Sequence, residues 1–187
     1  MLQMPPPSFQ DVFTACAPLV LRALRRLVGR EEDVEDLAQE VFLVVHRQLP
    51  GFEGRSKVST WVYGICVRVA SDHRKRAHVR LELPTGETPD AGRPADQGDA
   101  LSRVEARAAL DRILATLDDD KRAVFVLFEL EELPMAEVAA AVGVPLQTAY
   151  ARLYAARRKV EEAVARAAAE AGGAGVGSNV VIRGGQP

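Results

Sequence analysis

LPMAEVAAAVGVPLQTAYARLYAARRKV, residues 133–160, has the spacing of two helices joined by a tight turn. The first runs from Met135 to Val142, Gly143 suits the turn, and a longer helix follows Pro145. Val138, Ala139 and Val142 can pack inward, and Leu146, Ala149, Leu153 and Val160 fall on one face of the second helix. The rest of that helix carries Gln147, Thr148, Arg152, Arg158 and Lys159. Amide, hydroxyl and guanidinium groups near the start of such a helix can reach base edges in a major groove, and later basic groups suit phosphates. An ordinary helical hairpin with a solvated basic face would have the same spacing.

Upstream, Leu101, Val104, Ala108, Ile113, Leu114 and Leu117 predict a further helix, and Asp118 can cap the next one through Val124, Phe125, Leu127 and Phe128. Between Leu81 and Ala100 periodicity gives way to Pro84, Gly86, Pro89, Gly92, Pro94 and Gly98, the composition of a flexible linker. Two domains are therefore expected. Beyond Ala171 the Gly-rich GGAGVGSNVVIRGGQP reads as a mobile tail, with Val180–Ile182 as a short strand the weaker alternative.

The N-terminal block shows the same helical period. Phe9, Val12, Phe13, Cys16, Val20, Leu24 and Leu27 follow a Ser8 cap; Pro18 should kink or break that helix, and Gly29 should end it. A second helix fits 33–48, with Val34, Leu37, Ala38, Val41, Phe42 and Val45 inward and acids gathered at its start, where the helix dipole favours them. Glu31 to Glu40 holds six acidic residues and no basic one. After a loop with Pro50, Gly51 and Gly54, a third helix should begin near Ser56 and continue into TWVYGICVRVASDHRKRAHVR, residues 60–80. Here Val58, Trp61, Val62, Ile65, Cys66 and Val69 share one face, and Arg68, Ser71, Lys75 and His78 share another. A salt-bridge ladder of Arg68, Asp72 and Arg76 would fit the i, i+4 spacing, yet Arg68, Arg74, Lys75, Arg76 and Arg80 outnumber the single acid and make the stretch attractive to an anion.

Composition sets the class. Of 187 residues 48% are apolar and only 5% aromatic, and the alanine, leucine and valine content favours an all-α protein. The formal net charge of −2 conceals the segregation just described. Cys16 and Cys66 make no metal or redox spacing and are expected to be reduced thiols. The start MLQMPPPSFQ lacks the regions of a secretion signal, and no run is long enough to span a membrane, so a soluble cytoplasmic protein is expected. Asp36 and Glu40 stand one turn apart and could share a divalent metal, as in a metal-dependent nuclease, but no histidine has supporting spacing. No phosphate loop or nucleophile elbow is present. No enzyme activity, metal or cofactor is expected.

Taken together, VEDLAQEVF (34–42), Gly51-Phe52, STWVYGI (59–65) and the basic run behind it resemble region 2 of bacterial sigma factors of the extracytoplasmic-function (ECF) group, and residues 117–160 are similar to their region 4. The resemblance spans about 8–165 and implies two small helical domains: region 2 over 1–80, a flexible linker over 81–100, the region 4 helix-turn-helix over 101–170 and a tail over 171–187. It further implies a subunit that joins core RNA polymerase, recognises minus-35 and minus-ten promoter elements and helps melt DNA. By motif position, Asp36, Gln39 and Glu40 would meet the β′ clamp helices. Phe52, Arg55, Ser56, Lys57, Trp61, Arg68, Lys75, Arg76 and Arg80 would bind the minus-ten strand. Gln147, Thr148, Ala151 and Arg152, with Arg158 and Lys159 towards phosphates, would bind the minus-35 element. An anti-sigma partner is implied on the same grounds. The chain departs from the family pattern at TAYARL (148–153), where TVKSRL is common, and at Arg68, where asparagine is common. The alternative is a stand-alone helix-turn-helix regulator or a polymerase-binding decoy; a simple operator binder does not need the acidic helix and the aromatic-to-basic stretch.

Overall fold

The computed structural model describes residues 7–29, 33–82 and 98–171. Residues 83–97 of the expected linker and all of the expected tail beyond Ala171 lie outside the described residues. The elements are helical throughout: α1 (Phe9–Val28), α2 (Val34–Gln48), a 3-10 turn (Leu49–Gly51), α3 (Val58–Glu82), α4 (Gly98–Ala115), α5 (Asp119–Phe125) running into a π turn (Val126–Leu130), α6 (Met135–Val142) and α7 (Leu146–Ala171). The all-α expectation holds for every described element.

Local chemistry sets most boundaries. Ser8 Oγ accepts from the Asp11 amide at 3.2 Å and opens α1, and Gly29, at φ 76°, closes it with its amide on the Arg25 carbonyl at 3.1 Å. Asp118 caps α5 by accepting from the Lys121 amide at 3.0 Å. Gly143, at φ 71°, ends α6 and makes the turn of the helix-turn-helix. Pro18 does not break α1. The ring costs the helix one amide donor, but Pro18 faces solvent, and Val12, Cys16, Val20, Leu24 and Leu27 stay buried on either side of it. The third helix starts at Val58, so Ser56 and Lys57 belong to the loop before it.

The N-terminal core lies between α1, α2 and α3, where Val20, Leu24, Val41, Val45, Val62 and Ile65 are almost fully buried. At about 1.5–3 kcal/mol for each such side chain, this layer holds the three helices together. In the C-terminal block Leu114, Leu117, Val124, Leu127, Val138, Leu153 and Val160 fill the space between α4, α5, α6 and α7. Leu146 does not join them. It is 48% exposed, because it precedes the first residue of α7 that faces this core, Ala149.

The two blocks pack on each other. The side of α3 opposite its core face carries Thr60, Gly64, Val67, Ser71 and Arg74 at i, i+4, i+7, i+11 and i+14, and this stripe meets α5 and α6. An ideal Cβ at Gly64 would lie 2.8 Å from the Ala141 carbonyl oxygen, so glycine permits the close approach of α6.

Candidate functional site

The acidic helix presents a single outward stripe. Asp36, Gln39, Glu40 and Leu43 fall at i, i+3, i+4 and i+7 of α2, opposite its buried Leu37, Val41 and Val45. Leu43 is 56% exposed, an apolar end to a polar row. Beside it an apolar groove between α1 and α2 is lined by Phe9, Phe13, Ala17, Phe42, Leu43 and His46, with Glu35 and Gln39 on its rim. Phe13 and Phe42 pack with ring centroids 4.6 Å apart and planes tilted by 55°, and Phe9 meets both rings as well as the His46 imidazole. Sequence reasoning missed this groove. The helical period places Phe9 and Phe13 on the core stripe, and only the fold shows that the stripe runs past the edge of the bundle. Among the described residues no group of three or more His, Cys, Asp or Glu side chains is placed to hold a metal ion.

The residues predicted for the minus-ten strand gather at the start of α3 and along one flank. Phe52 and Trp61 pack with ring centroids 5.1 Å apart, which leaves Trp61 partly exposed and not wholly core. Arg55 pairs with Glu53 at 2.9 Å, and Ser56 Oγ donates to the Lys57 carbonyl at 3.4 Å. Arg68 is exposed, Lys75 lies 4.0 Å from Asp72, and Arg76 reaches Glu40 on α2 at 3.6 Å. Arg80 lies on the same helix. Lys57 is placed differently: its Nζ donates at 2.6 Å to Glu137 on α6. Ser71, read from the sequence as part of the free polar face, donates to Asp119 at 3.1 Å across the block boundary.

On α7 the face opposite the buried Ala149, Leu153, Ala156 and Val160 is a row of Gln147, Ala151, Tyr154 and Arg158, all exposed. Three of these four were predicted. Tyr154, 60% exposed and stacked with Tyr150 at 6.4 Å, was not, although its i+7 relation to Gln147 was a usable signal. Thr148 and Lys159 lie half-buried on one flank. Arg152 is already paired: its guanidinium meets the exposed Asp120 carboxylate at 2.6 Å, and its side chain is three-quarters buried.

Most charged groups between the two blocks are partnered, although the buried Arg122 Nε meets no acceptor. Glu131, whose side chain is fully buried, accepts from Arg22 at 2.7 and 2.9 Å, from Arg26 at 2.6 Å and from the Tyr63 hydroxyl at 2.7 Å. Burial, then the bond to Glu131, raises the Tyr63 phenol well above its usual range and keeps it a donor. The same carboxylate raises the Arg22 guanidinium. Glu137 accepts from Lys57 and, at 2.6 Å, from the Thr60 hydroxyl, and these bonds hold its carboxyl below the ordinary range. Asp119 accepts from Ser71 and pairs with Arg74 at 2.6 Å. Arg122, buried, donates to the Leu27 carbonyl at 3.0 Å; desolvation, with Arg74 close by, lowers it to about 10.

The described residues thus form two stacked helical modules, one bearing an acidic outward row and the other a helix-turn-helix with an exposed polar face. The chain matches Sigma-70 region 2 over residues 12–79 and Sigma-70, region 4 over residues 107–160. It is 31% identical to the ECF RNA polymerase sigma factor SigF of Caulobacter vibrioides over 146 residues, covering 77% of this chain and 78% of that one. It is 30% identical to the ECF RNA polymerase sigma-E factor of Escherichia coli K12 over 144 residues, covering 71% and 74%. The fold is shared with the sigma factor RpoE of Bartonella quintana, solved in complex with the anti-sigma factor NepR, at TM-score 0.65 and 21% identity over 83% of this chain and 96% of that one. The chain belongs to the ECF group of RNA polymerase sigma factors. That family is not a class of enzymes, and among the described residues no helix is long and apolar enough to cross a membrane.

Proposed function

We propose that this sigma factor joins core RNA polymerase through the α2 row and its groove, reads the minus-ten strand at the entry to α3, and reads the minus-35 duplex with α7. The carboxylates of Asp36 and Glu40 would pair with basic groups of the β′ clamp helices, while Leu43 and the phenylalanine-lined groove accept apolar side chains between them. Phe52, Arg55, Ser56, Lys57 and Trp61 form the candidate strand pocket, and Arg68, Lys75, Arg76 and Arg80 supply positive charge along its exit. Gln147, Thr148, Ala151 and Arg152 are the candidate base readers, with Arg158 and Lys159 at phosphates; Tyr154 adds an apolar and hydroxyl contact to the same row. Residues 1–80 and 101–170 are the two working domains, 81–100 the linker between them and 171–187 an appended tail. The chain acts in the cytoplasm with no catalytic chemistry of its own, and an anti-sigma partner would cover these surfaces.

The observation that carries this reading is the outward row of α2 with an apolar groove beside it, which a DNA-binding module working alone does not need. Promoter-dependent transcription with purified core enzyme tests it. Specific transcripts are expected on a genomic template, and they should be reduced by Asp36→Ala with Glu40→Ala. Tight duplex binding without any specific transcript would favour the stand-alone regulator instead.

A further inference from the structure

Of the five large apolar or aromatic side chains exposed among the described residues, three (Leu146, Tyr150 and Tyr154) lie at the start of α7. The other two, Phe13 and Leu43, line the α1–α2 groove. Tyr150 and Tyr154 stand one turn apart beside the exposed Gln147 and Ala151, and their rings stack at 6.4 Å with planes 23° apart. Each ring orients the other, so the pair forms a platform with little rotamer freedom left to lose on binding. Apolar surface held in water on one face of a helix marks a place that a partner covers.

The cations of the same turns are already engaged. Residues 146–157 contain two, Arg152 and Arg157. Arg152 pairs with Asp120 of α5 at 2.6 Å. Arg157 pairs with Glu129 of the π turn at 2.7 Å, with its guanidinium carbon 5.8 Å from the centre of the Phe128 ring. The first exposed cation of the outward row is Arg158, roughly 16 Å beyond Gln147 along the helix axis. In a major groove guanine is read by arginine or lysine, adenine by glutamine or asparagine, and the thymine methyl by apolar contact. With both guanidiniums held by carboxylates, the exposed groups left to meet base edges are Gln147, Tyr150, Ala151 and Tyr154.

We propose that Tyr150 and Tyr154, with Ala151 beside them, give this chain a minus-35 preference for A·T pairs by covering thymine C5-methyl groups, while Gln147 bonds a neighbouring adenine. This rests on the reading of α7 as the minus-35 helix. Arg152 then positions α7 on α5 through Asp120 and leaves the base edges to its neighbours.

Start sites mapped with the full chain and core RNA polymerase on a genomic template supply the minus-35 duplex for the test. Deoxyuridine is placed for thymidine within that element alone, which removes the methyl and keeps every hydrogen-bonding edge of the pair. Promoter binding by the wild-type holoenzyme should fall about fourfold for each thymine the rings cover. Tyr150→Ala with Tyr154→Ala should weaken binding of the thymine duplex and abolish the difference between thymine and uracil. Tyr150→Phe with Tyr154→Phe keeps the rings and should keep the difference. Alanine is a strong helix former at exposed positions, and far-UV circular dichroism confirms that α7 is intact. Equal binding of the thymine and uracil duplexes by wild type overturns the proposal and leaves the sigma-factor reading standing, because specific transcripts supplied the template. A uracil loss that persists in the alanine variant gives the methyl contacts to other side chains and overturns it too, as does a mapped element of G·C pairs. No specific start site on any template removes the sigma-factor reading and the proposal together.

Discussion

Gly64→Ala opposes two effects whose sizes the structure fixes. Gly64 lies in the interior of α3, where alanine is favoured over glycine by about 1 kcal/mol. In a chain whose domains stand apart, the substitution should raise the unfolding midpoint of the N-terminal block by about 4–8 °C. In the docked chain the new methyl would sit 2.8 Å from the Ala141 carbonyl oxygen and 3.6 Å from its Cα and carbonyl carbon. Ordinary contact begins near 3.5 Å, so α6 must retreat by roughly half an ångström or more. The obstacle is helix backbone, which cannot rotate aside as a side chain can, and overpacking of this kind costs about 1–3 kcal/mol. The cost falls on the docked state alone. Calorimetry of the full chain should therefore show the single cooperative transition of the wild type split into two, region 4 melting earlier and region 2 later. A single transition shifted upward by several degrees would refute the reasoning, since Gly64 would then have no neighbour in solution.

Three further outcomes follow from the same geometry. Leu43→Ala should weaken core-polymerase binding about tenfold or more in a fluorescence competition assay, because about 0.8 kcal/mol is lost for each carbon no longer buried by the partner, while the free chain, which leaves this side chain 56% exposed, melts within about a degree or two of wild type. Asp118→Ala removes the α5 cap and its ion pair with Lys121, and should lower stability by about 1 kcal/mol in urea unfolding. The Glu137 carboxyl is held below its ordinary value of 4.5 in the docked chain, so its contribution to docking is fully present above that value and is lost as pH falls through the docked value. The difference in scattering between wild type and Glu137→Gln should accordingly persist at the ordinary carboxyl value and vanish only on acidification well below it.

Much of the fold was legible because local chemistry and long-range packing agree. Ser8, Gly29, Asp118 and Gly143 act as caps in the structure as their types and positions suggest, and the helix-turn-helix follows from spacing and one glycine. The failures have specific causes. A kink or a break is expected at Pro18 because its ring forbids one hydrogen bond; the helix is not broken, because several buried contacts outweigh one lost donor. Leu146 was read as core because a helical wheel has no ends, whereas the real core of α7 begins at Ala149. Glu131 had no signal at all. It follows a π turn over Val126–Leu130, where the Glu131 amide bonds the Val126 carbonyl at 2.9 Å, and Glu132 at φ 56° then reverses the chain. A wheel drawn at 3.6 residues per turn misplaces every side chain past that point. The α2 row could be read from its motif, but its apolar continuation in Leu43 and Phe13 required knowing where the bundle stops.

The charge of α3 now has a physical explanation. Its basic excess looked like a surface awaiting DNA, yet Arg74 is matched by Asp119 and Arg76 by Glu40, as is Lys57 of the preceding loop by Glu137, each carboxylate supplied by another helix. Acids from other helices thus neutralise part of this basic stretch. The matches are not equal in strength. Glu131 is fully buried and shielded from bulk ions, whereas the Glu137 side chain keeps 23% of its surface and its Lys57 partner 70%. Salt therefore acts first at the Lys57 end of the contact between the blocks, and the Glu131 cluster yields last.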